Sequence, residues 1–125
     1  MVALREIMTA EVYATSPDAS VADAAAAMVQ GRFGSATVLL GSTLVGIFTE
    51  RDVLRAAANG GDLSATPVQE WMTDNPVTAS PDEDSEDAAE TMLAGGFRHL
   101  PVVDGGQLVG IVSLRDLLSA RIRRS

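Results

Sequence analysis

The chain contains 125 residues and carries a formal net charge of −8 at pH 7, with 17 acidic side chains against 9 basic ones. Hydrophobic residues make up 46% of the sequence, which excludes an intrinsically disordered protein, and the acidity disfavours nucleic acid as a partner. The absence of cysteine excludes disulfides, thiolate metal sites and cysteine nucleophiles.

The first ten residues differ from a signal peptide, because Arg5 and Glu6 interrupt the apolar stretch that such a peptide requires. No apolar run in the sequence approaches the roughly 20 residues that span a bilayer. We therefore expect a cytoplasmic protein that binds no membrane.

The first predicted elements are a short amphipathic turn at Leu4–Met8 and an extended segment at Val12–Thr15. A helix follows, and its start is indicated by Ser20–Asp23, which has the pattern of a capping box. Apolar residues at helical spacing continue through this helix, and Gly31 is expected as its C-cap. Two short apolar runs around a glycine-containing turn then predict a hairpin, and a last helix begins at Thr49.

The second half of the chain repeats the first at a constant offset. Met8-Thr9 recurs 64 positions later as Met72-Thr73, and Leu44–Ile47 recurs as Leu108–Ile111. The two copies align without a gap, which indicates a tandem repeat, and Gly95 is the second expected C-cap. The predicted hairpin strands are Ala36–Leu40, Leu44–Phe48, Leu100–Val103 and Leu108–Val112.

These patterns predict an α+β fold made of two tandem β-α-β-β-α repeats. Repeat 1 spans residues 1–58, a polar linker with two glycines spans residues 59–66, and repeat 2 spans residues 67–125. Each repeat alone is too small to bury a sizeable core. We therefore expect the repeats to pack against each other with pseudo-twofold symmetry.

One motif places a hydroxyl residue and an acid at the start of a helix. It runs from Gly46 to Asp52 and recurs from Gly110 to Asp116. Free N–H groups at a helix start favour an anion, and the acid could accept hydrogen bonds from ribose hydroxyls. The Thr-x-x-Asp and Ser-x-x-Asp patterns are also ordinary capping boxes, so both interpretations are open and they are not exclusive.

The order of these motifs resembles a tandem pair of CBS domains, the Bateman module. The resemblance rests on the Met-Thr starts, on Ser-Pro-Asp before the first helix of each copy, on the segment Phe97–Asp104 and on the two motifs that end in Asp52 and Asp116. It covers about Ala3 to Arg121. Its specificity comes from the order and the duplication of the motifs.

This resemblance implies adenosine-containing ligands, with AMP, ADP, ATP and S-adenosylmethionine as candidates, in clefts between the repeats, and no required cofactor. In each cleft, one repeat would hold the ribose and the other would surround the base and the phosphates. One cleft would comprise Thr49, Asp52, Val77, Thr78, Arg98 and His99. The other would comprise Ser113, Asp116, Tyr13, Ala14, Gly34 and Ser35.

The two implied clefts differ in charge. Repeat 2 has Arg98-His99 where repeat 1 has Gly34-Ser35. An arginine can donate a bidentate pair of charge-assisted hydrogen bonds to an oxyanion. We therefore expect the cleft of Asp52, to which the resemblance assigns Arg98, to bind phosphate more tightly.

Three further basic residues have two interpretations each. His99 could contact phosphate or be a packed or solvent-facing side chain, and as the only histidine it cannot form a multi-histidine metal centre. Arg51 and Arg115 could reach phosphates from their helix starts. They could instead be solvated or pair with nearby acids.

The leading hypothesis is a stand-alone regulatory module that senses an adenosyl ligand and acts on an unidentified protein. The resemblance also implies a homodimer. The alternative is a non-sensing dimerisation or docking module whose clefts stay empty. An enzyme is disfavoured, because the sequence has no Walker-type phosphate loop and no metal-ligand cluster, and its two motif aspartates are expected in separate clefts.

Overall fold

The computed structural model describes residues 1–124, with the backbone alone for Arg123 and Arg124. The strands are β1 (Ala14–Thr15), β2 (Ser35–Leu40), β3 (Thr43–Thr49), β4 (Thr73–Asp74), β5 (His99–Asp104) and β6 (Gln107–Ser113). The helices are α1 (Val21–Gly31), α2 (Glu50–Ala58), α3 (Ser85–Gly95) and α4 (Leu114–Arg124). Short 3₁₀ turns occupy Leu4–Glu6 and Val68–Glu70. The predicted α+β fold of two tandem repeats is confirmed.

The chain forms two compact units whose boundaries differ from those of the sequence repeats. The continuous unit is Val12–Pro76, and the split unit joins Met1–Glu11 to Val77–Ser125. Each unit therefore combines the body of one repeat with the leading segment of the other. Backbone hydrogen bonds hold these segments: Val68 N–H donates to the Ala19 carbonyl at 2.8 Å, and Leu4 N–H donates to the Glu83 carbonyl at 3.0 Å.

The continuous unit contains a four-stranded sheet in the order β1-β2-β3-β4. Strand β1 runs parallel to β2, whereas β2–β3 and β3–β4 are antiparallel. Its core is an apolar cluster from α1, the central strands and α2, in which Phe48 is the largest fully buried side chain. Strand β4 is absent from the sequence-based elements. It approaches β3 at Gly46, where an added Cβ atom would lie 2.6 Å from the Met72 sulfur.

The split unit has the same arrangement with less regular flanks. Strands β5 and β6 pair antiparallel, while Ala79 and Thr9 form single bridges to Val102 and Ile111. Its separate apolar core includes the fully buried Leu4, which the N-terminal segment supplies. The unit thus depends on residues from both ends of the chain.

Proline at position 101 explains the short pairing of Val77–Ala79, the second copy of the extended segment predicted at Val12–Thr15. In the continuous unit, the equivalent residue Thr37 donates its backbone N–H to the Tyr13 carbonyl at 2.9 Å. Pro101 has no N–H to donate, so that ladder position is lost. The segment instead bonds through Ala79, whose N–H donates to the Pro101 carbonyl at 3.0 Å.

The helix ends confirm one predicted cap and correct two others. Ser20 is the N-cap of α1, and its hydroxyl oxygen accepts a hydrogen bond from Asp23 N–H at 3.0 Å. The expectation that Gly31 and Gly95 are C-caps is wrong, because each is the last helical residue. The left-handed C-caps are the next residues, Arg32 with φ 59° and Gly96 with φ 73°.

Candidate functional site

The start of α2 is capped by three hydrogen bonds between Thr49 and Asp52. The Asp52 carboxylate oxygen Oδ2 accepts from Thr49 N–H at 2.9 Å and from the Thr49 hydroxyl at 3.1 Å. In return, Asp52 N–H donates to Thr49 Oγ1 at 3.4 Å. The capping-box interpretation of this motif is therefore confirmed.

The start of α4 has the same geometry with fewer bonds to the acid. Asp116 Oδ2 accepts from Ser113 N–H at 3.0 Å, and Ser113 Oγ accepts from Asp116 N–H at 3.1 Å. Both helix starts thus cap themselves. The ribose interpretation of the two acids remains a prediction.

A second interaction at Asp52 was not anticipated from the motif. Arg55 Nη1 donates to Asp52 Oδ1 at 3.3 Å, and the Asp52 side chain is only 7% exposed. The Arg55 guanidinium also lies over the Trp71 ring, 5.4 Å from its centroid, within cation–π range. A signal did exist in the sequence, because Arg55 and Trp71 depart from the repeat: the equivalent residues are Ser119 and Ile7.

Strand pairing brings the basic segment of the split unit to the start of α4. His99 lies directly opposite Ser113 in the β5–β6 register. The next residue along, Leu114, donates its backbone N–H to the Arg98 carbonyl at 2.8 Å. Arg98 and His99 therefore neighbour the hydroxyl residue and the first helical residue of the same unit.

The continuous unit pairs its corresponding residues in the same way. Ser35 lies opposite Thr49 in the β2–β3 register, and Glu50 N–H donates to the Gly34 carbonyl at 3.2 Å. Within each unit, the grouping is the reverse of the one that the resemblance implies. The uncharged Gly34-Ser35 accompanies Asp52, and the basic Arg98-His99 accompanies Asp116.

Comparison with known proteins identifies the family. The model of the CBS domain matches the sequence twice, at residues 4–59 and 68–123. The chain belongs to the CBS-domain family. The expected resemblance is therefore confirmed.

This CBS pair is similar to proteins of the same size. The CBS domain-containing protein YhcV of Bacillus subtilis is 39% identical over 118 residues, which are 94% of this chain and 84% of that protein. CBSX2, crystallised in complex with AMP, has a TM-score of 0.84 at 27% identity, over 99% of this chain and 98% of that one. The CBS domain pair of protein MJ0100, in complex with 5′-methylthioadenosine and S-adenosyl-L-methionine, has a TM-score of 0.89 at 25% identity, over 96% and 99%.

The remaining predicted residues are distributed over both units. Tyr13 and Ala14 lie in the continuous unit, where the Tyr13 ring stacks on Phe33 with centroids 5.9 Å apart and Ala14 pairs with Thr37 in β2. The others are exposed, and the arginines among them form no ion pair within the described part of the chain. This exposed set is Arg51, Val77, Thr78 and Arg115.

Residues 1–124 contain neither a metal-binding cluster nor a membrane-spanning helix, but they do form an apolar groove. Within this range, no group of three or more acidic or histidine residues could hold a metal ion. None of the helices in that range has the length and apolar character needed to traverse a bilayer. An apolar groove of about 400 Å³ does lie in the continuous unit, between the end of α1 and the start of α2. Its lining includes Met28, Phe33 and Val53 and none of the predicted site residues.

Proposed function

We propose that this CBS pair binds an adenosine-containing phosphate ligand, with its ribose at the start of α4 in the split unit. The observation that carries the proposal is the β5–β6 register, which sets His99 opposite Ser113. Hydroxyl, carboxylate and basic residues, the three groups that a nucleotide requires, then occur together. In the continuous unit, uncharged residues replace the basic pair.

The Asp116 carboxylate supports the ribose role through its spare hydrogen-bonding capacity. An ionised carboxylate has about four lone-pair sites. Within the described residues, Asp116 accepts one hydrogen bond through its side chain, from Ser113 N–H. Enough capacity is left to accept hydrogen bonds from both the 2′- and 3′-hydroxyls of a ribose.

The charge of Arg98 supports the phosphate role. Arg98 is exposed and lies one residue before β5, next to the first residue of α4. Helix starts favour anions, and a guanidinium adds a directional, charge-assisted donor. The chain as a whole is strongly acidic, and this local basic segment is suited to an anion.

The ligand class is supported by the complexes of similar proteins. CBSX2 was crystallised with AMP, and the MJ0100 domain pair with 5′-methylthioadenosine and S-adenosyl-L-methionine. These molecules share the adenosine group and differ in the substituent at the 5′ carbon. AMP is the probe that tests the ribose and phosphate roles together.

Ligand binding would regulate the CBS pair only through a difference in affinity between two states. We propose that the ligand shifts such an equilibrium and thereby alters the affinity for a regulated protein. A change in assembly on AMP addition would support this sensing role, whereas stabilisation alone reports binding. A CBS pair that binds AMP without a change in assembly would be a ligand-binding module that does not sense.

A homodimer is supported by apolar side chains that both repeats expose at equivalent helix positions. Val29 and Leu54 are exposed in the continuous unit, as are their equivalents Leu93 and Leu118 in the split unit. Exposed apolar groups on helix faces favour self-association. Light scattering should give the mass of a dimer, and Leu54→Glu with Leu118→Glu should give that of a monomer. A monomeric mass for the unaltered chain would contradict the dimer.

Thermal denaturation with AMP tests the ligand proposal. At a ligand concentration one hundred times Kd, binding to the folded state should stabilise the protein by about 2.7 kcal/mol. Asp116→Asn should remove most of this gain. Asp104→Asn is the matched control, since Asp104 is an exposed acid at the far end of β5. No stabilisation by AMP, ADP, ATP or S-adenosylmethionine would favour the docking module instead.

A further inference from the structure

We infer that Arg55, by donating a hydrogen bond to the Asp52 carboxylate, prevents Asp52 from binding a ribose. The CBS pair then binds one adenosine ligand per chain, at Asp116, and none at Asp52. This inference rests on the proposed function. It reverses the asymmetry expected from the sequence, in which the Asp52 cleft binds phosphate more tightly. It also predicts a number, the stoichiometry of binding, which the family resemblance leaves open.

Hydrogen-bond counting at Asp52 gives the first argument. Oδ2 of Asp52 accepts from both the N–H and the hydroxyl of Thr49, and Oδ1 accepts from Arg55. These three bonds leave about one of the four lone-pair sites of the carboxylate. A ribose offers two adjacent hydroxyls, so Asp52 cannot accept both without releasing Arg55.

The surroundings of Arg55 give the second argument. Arg55 follows Asp52 by three positions on α2, so the two side chains share one helix face. The Asp52 side chain is 7% exposed, and a buried carboxylate that lost its cation would be costly. The Arg55 guanidinium also lies 5.4 Å from the centroid of the Trp71 ring, while the Arg55 side chain is 59% exposed. Arg55 therefore contacts both Asp52 and Trp71, which belong to the same unit.

Comparison of the two repeats gives the third argument. The positions of Arg55 and Trp71 correspond to Ser119 and Ile7 in an otherwise close repetition of the motif. A serine carries no charge to pair with Asp116, and an isoleucine offers no aromatic face to a cation. Arg55 and Trp71 occur together in the continuous unit, where Asp52 accepts the additional hydrogen bond from Arg55.

Calorimetric titration of the full chain with AMP measures the stoichiometry. The unaltered chain should bind one AMP, and Asp116→Asn should weaken binding at least 30-fold. The double variant Arg55→Ser/Trp71→Ile, which copies the equivalent residues of the split unit, should bind two AMP molecules. Adding Asp52→Asn to that double variant should return the number to one. Two AMP molecules on the unaltered chain, or one on the double variant, would overturn the inference.

The reciprocal exchange tests the same device at the other acid. In Ile7→Trp/Ser119→Arg, the introduced arginine should donate a hydrogen bond to the Asp116 carboxylate. AMP binding should then weaken at least 10-fold. Ser119→Ala is the matched control, because it removes the hydroxyl without supplying a cation, and it should bind AMP as the unaltered chain does. Unchanged affinity in the Trp/Arg variant would count against the inference.

A ligand-free measurement separates this inference from the proposed function. A double-mutant cycle of Asp52→Asn and Arg55→Ser should show coupling of about fivefold in the unfolding equilibrium constant. Absence of coupling would overturn the role of Arg55 whatever AMP does. Coupling without any AMP binding to any variant would instead overturn the proposed function and, with it, the stoichiometry.

Discussion

The ring of Phe97 lies in the space that a Cβ atom on Gly95 would occupy. Phe33 and Gly31 have the same relation in the other unit. Both glycines are the last residues of their helices, and neither has a positive φ. Their small size, and not their conformational freedom, is what the helix end requires, because it lets the ring close over the helix.

Gly95→Ala should therefore destabilise the protein by about 1 kcal/mol. The clash with a packed ring costs about 1 to 3 kcal/mol, which exceeds the roughly 1 kcal/mol that alanine gains over glycine in a helix. Urea denaturation measures the difference. In a Phe97→Ala background the same change should become stabilising, and a destabilisation that persists there would exclude the ring as the cause.

Arg32→Gly should stabilise the protein by about 1 kcal/mol. Arg32 is the C-cap of α1 at φ 59°, a left-handed conformation that costs a non-glycine residue about 1 kcal/mol or more. The equivalent residue in the other repeat is already glycine, at position 96. Gly96→Arg should accordingly destabilise by a similar amount in thermal or urea denaturation. Equal stability of Arg32→Gly and the unaltered chain would show that the cap carries no strain.

Glu83→Gln should stabilise the folded protein at pH 7. Burial raises the pKa of Glu83 above its ordinary value of 4.5, and the negative charge of Asp87 adds to this effect. An acid whose pKa is raised by folding opposes folding when it is ionised, so its penalty is present above the folded-state pKa and absent below 4.5.

The melting temperatures of the two proteins should therefore converge as the pH falls below 4.5. Glu90→Gln provides the control, since it removes an exposed charge from α3, the helix that begins two residues after Glu83. A stabilisation by Glu83→Gln that remains full at pH 3 would not come from ionisation.

Arg98→Ala should weaken AMP binding about 10-fold and leave adenosine binding unchanged. The loss corresponds to about 1.4 kcal/mol, close to the lower end for a hydrogen bond to a charged group. Adenosine has the ribose but no phosphate, so it separates the two contributions within one titration series. An equal loss for both ligands would show that Arg98 supports the fold of the site and does not contact the phosphate.

Much of the fold could be predicted because the sequence repeats itself. Two independent copies of each pattern identified the hairpins, and the strands agree with the expected ones to within one residue at most ends. Strand β4 escaped prediction because it has two residues and forms only by pairing with β3. Such a strand has no periodicity of its own, since its position is decided by tertiary contact.

The boundaries of the compact units could not be predicted from the sequence pattern either. Repeats identify which segments are equivalent, but packing decides which copy each segment joins. Leu4 and Val68 are equivalent in sequence and fully buried, yet each lies in the unit formed by the other repeat's helices. Nothing in the local sequence distinguishes this exchange from packing within the repeat.

For the candidate site, the capping boxes were predictable and the grouping was not. Thr-x-x-Asp and Ser-x-x-Asp specify local hydrogen bonds, and the structure contains them. The position of Arg98 follows from the β5–β6 hairpin, which returns the chain so that His99 meets Ser113. Counting outward from the turn at Gly105 would have placed His99 opposite Val112, because the pairing with Ser113 depends on a register shift between Val102 and Val103.

The division into a continuous and a split unit has a consequence for folding during synthesis. All of Val12–Pro76 is available once that stretch has left the ribosome, so this unit can form while the C-terminal half is still being made. The segment Met1–Glu11, although translated before Val12–Pro76, must wait for β6 before Thr9 can bridge Ile111. Closing so long a loop costs conformational entropy and slows this pairing. Residues Met1–Glu11 should therefore be among the last of the described residues to become ordered.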